Sequence, residues 1–230
     1  MTIGWNIGNS LDATGYGSSQ ETSWGNPTVT QELIDAVKAK GFNTIRIPTT
    51  WYPNVTTTTD ENGKPVYTIS EQWLQRVKEV VDYAYKQDMY VILNLHHEEW
   101  INRSDFPTAY EEMSERLKQM WLQIAAYFKD YDQHLIFESM NEEFNNDYGK
   151  PDANAYENIN AYNQIFVDSV RATGSNNEKR WLLLPGWNTN IEYTAGDEYN
   201  FKIPTDNGCK ADGKRIMISV HYYDPFNFTI

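Results

Sequence analysis

Asn141 and Glu142 stand side by side just past an apolar run, and the pair suits the hydrolysis of a sugar linkage. An amide can hold the 2-hydroxyl of a reacting pyranose ring while the neighbouring acid protonates the departing oxygen. Asn-Glu is a common dipeptide, so its weight comes from its company. Arg46, His96, His97, His221 and Tyr223 also fall at or just past the C-terminal ends of apolar runs. In α/β architectures that end of the strands is the rim on which active sites are built. Three of the four histidines lie there, and only His134 sits at the other end of its run. Strand alternation is expected to turn Glu143 away from Glu142.

A metal centre would be another use for these histidines. Metal-binding barrels commonly place His-x-His on one face of a strand, whereas adjacent His96 and His97 are expected to diverge. That argues against a metal, and no cofactor is expected. Aromatic residues make up 14% of the chain, and four of the eight tryptophans (Trp24, Trp51, Trp100, Trp187) fall between periodic segments. One such tryptophan is as well explained by packing under its loop. Four at similar places in successive units favour a binding cleft, with Trp24, Trp51 and Trp187 as candidate binding residues.

The elements that must position these groups alternate short apolar runs with segments of helical period, the pattern of βα units on a parallel sheet. Strands are expected over 3–7, 44–47, 89–95, 135–138, 181–184 and 216–220. A first helix carries Leu33, Ile34 and Val37 and closes at Gly41; a second follows a capping box of Thr68 and Glu71. A third carries Met113, Leu117, Met120, Ile124 and Phe128, and a fourth Ile159, Tyr162, Phe166 and Val170. The threonine run at 56–59 reads as loop, and 191–213 as a long irregular connection. Six strands suit either an incomplete barrel or a doubly wound sheet, and pattern alone does not choose.

The length of 230 residues fits one catalytic domain spanning 1–230. A net charge of −13 with no basic cluster speaks against nucleic acid or an anionic membrane surface as partner and suits a neutral polymer. No apolar run reaches the ~20 residues of a membrane span. The single cysteine, Cys209, has no partner for an intramolecular disulfide.

The stretches GWNIGNSLDA (4–13), ETSWGNP (21–27), GFNTIRIPTTW (41–51), VILNLHHEEW (91–100), LIFESMNE (135–142) and VHYYDPF (220–226) together resemble glycoside hydrolase family 5, in the branch rich in cellulases and related β-glucanases. The resemblance implies a (β/α)₈ TIM barrel, of which about six βα units are present. It also implies a retaining endo-hydrolase of β-1,4-glucan, with xyloglucan, mannan or mixed-linkage glucan as alternative substrates and a non-catalytic sugar-binding fragment as the alternative role. Glu142 matches the acid/base, expected to carry a raised pKa, and Asn141 its neighbour. Arg46 matches the arginine that steadies the nucleophile. His96 and His97 match a substrate-side pair, and His221 and Tyr223 the histidine and tyrosine after the sixth strand. Asn9 and Trp24 match positions lining the glycone side.

Two departures stand out. Glu143 and Phe144 replace a frequent proline and a basic residue after the acid/base, which alters the loop there. The nucleophile, expected at the end of a seventh strand, has no counterpart, because Asp12, Glu21, Glu98 and Asp224 lack that context. The chain is therefore expected to be a fragment, clipped at both ends, unstable and inactive alone. Its expected partners are a β-glucan chain and, for a split enzyme, a complementing C-terminal segment. A polymeric substrate implies secretion.

Overall fold

The computed structural model describes residues 1–101, 110–142, 150–224 and 227. Eight strands are described: β1 (Gly4–Asn6), β2 (Thr44–Ile47), β3 (Val55–Thr59), β4 (Pro65–Ile69), β5 (Tyr90–Asn94), β6 (Leu135–Glu138), β7 (Leu182–Pro185) and β8 (Ile216–Ser219). Six of them form a parallel sheet in the order β1-β2-β5-β6-β7-β8, which follows the chain. An all-parallel sheet whose strand order follows the chain is the winding of a (β/α)₈ barrel, not of a doubly wound sheet, where the order reverses. The fold is thus a partial TIM barrel.

The six strands match the expected ones to within a few residues; β6, buried at all four positions, is the continuous apolar run of a strand covered on both faces. The helices between them are α1 (Gln31–Ala39), α2 (Glu71–Tyr85), α3 (Tyr110–Tyr127), α4 (Ala153–Ala172) and the short α5 (Ile191–Ala195). Three local expectations are corrected. Leu33 is 45% exposed, while Ile34 and Val37 supply the buried face of α1. Thr68 does not cap α2: it pairs with Thr56 across an antiparallel hairpin, and Ser70 occupies the cap. The threonine run is strand β3, not loop, since β-branched residues suit the pleated backbone and β4 pairs along its whole length, although all four threonines are exposed. The outer edge of this hairpin is closed by α3. Gln119 and Gln123 accept from the Tyr67 and Ile69 amides at 2.9 and 3.0 Å and donate to the Pro65 and Tyr67 carbonyls.

The core runs between sheet and helices, from Ile34 and Val77 through Leu93 and Trp121 to Phe166 and Leu184. Burial falls off toward the sheet edges. All four residues of β6 are buried and all three of β1 are exposed. Ile3, Trp5 and Val220 flank those edges at 55, 50 and 43% exposure. Arg180 closes the opposite end of the sheet from the rim, donating to the carbonyls of Phe128, Tyr131, Asp132 and Leu135. Burial lowers its pKa to about 9.

Candidate active site

Four of the six parallel strands end in a polar residue: Asn6 on β1, Asn94 on β5, Glu138 on β6 and Ser219 on β8. Arg46 of β2 lies beside Asn6 in the parallel register. These side chains meet. Arg46 Nε and Nη2 reach Glu138 Oε2 at 2.8 and 2.6 Å, and Nη1 donates to Asn6 Oδ1 at 3.1 Å. Asn94 Nδ2 donates to Glu138 Oε2 at 2.9 Å and the Ser219 hydroxyl to Oε1 at 2.8 Å. Glu138 is 1% exposed, so a lone charge there would be costly; four donors from three strands compensate it.

Above this layer sit the expected acid/base residues. Arg46 Nη2 donates to Asn141 Oδ1 at 3.0 Å, which fixes the Asn141 amide. Glu142, half-buried, receives two groups on one oxygen. His221 Nδ1 lies 2.5 Å and the Tyr223 hydroxyl 3.0 Å from Oε1. The Thr189 carbonyl holds the His221 amide at 2.9 Å, at the end of a turn in which Asn188 and Thr189 both have positive φ. Glu142, Asn188, His221, Tyr223 and Asp224 line one cavity of about 360 Å³. Burial pushes the Glu142 carboxyl up, but the His221 hydrogen bond and charge, the Tyr223 hydroxyl and Arg46 outweigh it, so the net displacement is downward. The expected raised pKa is thereby corrected: these neighbours favour the anion more than burial penalises it.

His96 and His97 do not diverge as expected. Their rings lie 4.4 Å apart, edge to face, and with Asp12 they offer three ligand-type atoms within 4.8 Å of one another. Both lie past the end of β5 at Asn94, so strand alternation does not govern the two side chains. Asp12 is already engaged, accepting from the Asn9 and Ser10 amides at 3.0 and 2.7 Å. Asn9, exposed and at φ 58°, is thus part of a turn on the same rim. Burial drives His96 well below its usual pKa, with Arg46, His97 and His221 adding to it; burial and Arg46 lower His97 despite Asp12 and Glu142.

The tryptophans divide. Trp24 is 46% exposed with its ring 5.4 Å from His97, and it alone of the four keeps an open face on the rim. Trp51, fully buried, donates Nε1 to the Asn94 carbonyl at 2.8 Å. Trp187 is 4% exposed. The expectation that Trp51 and Trp187 are binding residues is corrected, since neither offers a face to a ligand. Trp100 is likewise buried and donates Nε1 to Glu98 at 2.5 Å. Glu143 and Phe144 lie outside the described residues.

Sequence reasoning missed Glu138, Asn94, Asn6 and Ser219. The signal was present: a polar residue ending an apolar strand in four units out of six is a layer, although any one of them looks incidental.

This geometry can be set beside known proteins. The family model for cellulases, glycosyl hydrolase family 5, matches residues 10–230. The chain belongs to glycosyl hydrolase family 5. Within the family it is similar to Endoglucanase A of Paenibacillus barcinonensis, 47% identical over 99% of this chain and 58% of that protein. Among solved structures it is similar to a family 5 xyloglucanase from Paenibacillus pabuli, with TM-score 0.89 and 49% identity over 98% of this chain and 63% of that one. A broad-specificity endoglucanase from Ruminococcus champanellensis, solved with bound cellotriose, gives TM-score 0.85 and 38% identity over 98% and 65%. The chain thus spans about three-fifths of the length of the relatives it matches.

Proposed function

We propose that this family 5 chain is the larger part of a retaining endo-β-1,4-glucanase, with Glu142 as general acid and then general base. The observation that carries the reading is the clamp on Glu142. One carboxylate oxygen is held by His221 and Tyr223, and the adjacent Asn141 amide is fixed by Arg46 at 3.0 Å. In the first step Glu142 protonates the departing glycosidic oxygen as a carboxylate attacks the anomeric carbon; in the second it deprotonates the water that releases the sugar.

The attacking carboxylate is supplied from outside these 230 residues. Three of the four alternatives are tied to other work. Asp12 holds a turn, Glu21 pairs with Arg76 and the Val29 amide, and Glu98 holds the Trp51 amide and the Trp100 indole. Asp224 shares the cavity with Glu142 but follows β8 on a connection rather than ending a strand. An anionic nucleophile ~5 Å from Glu142 also supplies the upward push on its pKa that a general acid needs. The exposed edges at β1 and β8 suit two further βα units completing the barrel.

Related enzymes act on xyloglucan as well as on linear glucan, and xyloglucan is the second reading because the similar Paenibacillus pabuli structure is a xyloglucanase. Because the proposed substrate is a polymer, secretion of the enzyme is part of this proposal. The test is reducing-end release from carboxymethylcellulose and xyloglucan by a protein extended past Ile230 and by its Glu142→Ala variant. Full activity in the variant on both substrates would end the assignment.

A further inference from the structure

Asn94 has three hydrogen-bond partners, and together they fix which way its amide faces. The Thr49 backbone N–H, which can only donate, lies 3.1 Å from Oδ1. The Nδ2 group faces Glu138 Oε2 at 2.9 Å, which accepts, and His96 Nδ1 at 3.1 Å. An NH₂ group has two hydrogens and no useful lone pair, so Nδ1 of His96 must accept. A neutral imidazole that accepts at Nδ1 carries its proton on Nε2.

We propose that Asn94 is a positioning residue that holds His96 as a neutral imidazole with its proton on Nε2, a fixed hydrogen-bond donor for a sugar hydroxyl. This rests on the reading of the site as a glucan hydrolase. The surroundings work the same way. A second proton on His96 would sit against the Asn94 NH₂ group, and Arg46 from β2, the adjacent His97 and His221 from beyond β8 all disfavour positive charge there. Glu138 on β6 does not offset them, because Arg46 already shares its carboxylate. Asp12 is engaged with the Asn9 and Ser10 amides. The same tautomer withholds the Nε2 lone pair from a cation, so the three-atom cluster with Asp12 and His97 is not arranged as a metal site.

Proton-coupled ¹⁵N spectra of histidine-labelled protein read this without any assay. His96, assigned by loss of its signals in His96→Gln, should show a bare Nδ1 and a protonated Nε2 unchanged from pH 7.5 to about 5.5. A proton on Nδ1, or a doubly protonated ring at pH 6, overturns the proposal whatever the enzyme hydrolyses. Asn94→Leu keeps the bulk and removes the donor to Nδ1 without setting a second carboxylate against Glu138 Oε2. It should let the His96 proton occupy Nδ1 as well as Nε2 and, in the protein extended past Ile230, lower kcat/KM about tenfold. An unchanged His96 spectrum in Asn94→Leu would equally sink the idea. Absence of glucan hydrolysis by wild-type protein extended past Ile230, with the expected spectrum, would instead count against the hydrolase reading alone.

Discussion

Glu138 and Glu142 belong to the same strand end, yet the protein treats them in opposite ways. Glu138 closes β6 in a buried layer where every oxygen has donors, from Arg46, Asn94 and Ser219. Glu142 lies on the wall of a cavity with its two partners among the described residues on one oxygen. The first arrangement surrounds the carboxylate with donors from three strands. On the proposed reading the second leaves room for a glycosidic oxygen or water. Arg46 links the two, bound to Glu138 by two nitrogens and to Asn141 by one.

The comparison can be broken by measurement. The largest effect is expected from Glu142→Ala in the extended protein, with turnover of unactivated glucan falling by roughly 10²–10⁴ and thermal unfolding almost unmoved. Glu138→Gln should do the reverse in emphasis. It removes the carboxylate that balances the partly buried Arg46 guanidinium, and urea unfolding should show a loss of about 3 kcal/mol. If Glu138→Gln and Glu142→Ala were equally stable, the distinction between the two carboxylates would collapse.

A similar pair exists among the tryptophans. Trp51→Ala empties a fully buried site and should cost about 3–5 kcal/mol of stability. Trp24→Ala should leave stability in place and raise KM for cello-oligosaccharides by roughly three- to tenfold, about 1 kcal/mol of lost stacking. A stability loss at Trp24 equal to that at Trp51 would show that its exposed face has no binding role.

The smallest effect is in the pH dependence. His96 has a folded pKa well below 6.5, so the unfolded chain binds a proton that the folded chain refuses. Its contribution is therefore fully present above pH 6.5 and is lost as pH falls through that value. The depressed Glu142 adds a loss at lower pH, below its ordinary 4.5. His96→Gln should flatten the upper part of this slope; an identical slope in variant and wild type would count against a neutral buried ring.

By itself the sequence determined the six parallel strands, the helices between them and the rim carrying Arg46, His96, Asn141, Glu142, His221 and Tyr223. These follow from local rules, apolar runs for strands buried on both faces and a 3.6-residue period for the helices that cover them. Tertiary structure alone decided what depends on partners far along the chain. Arg46 meets Glu138 across 92 positions, and Asn94 meets it across 44. Whether Trp51 or Trp24 faces solvent depends on what packs above each, which their identical residue type cannot reveal. The direction of the Glu142 pKa is set by His221, 79 positions away. Residue type and spacing limit what a side chain can do, but the proton and the open face go where distant neighbours leave room.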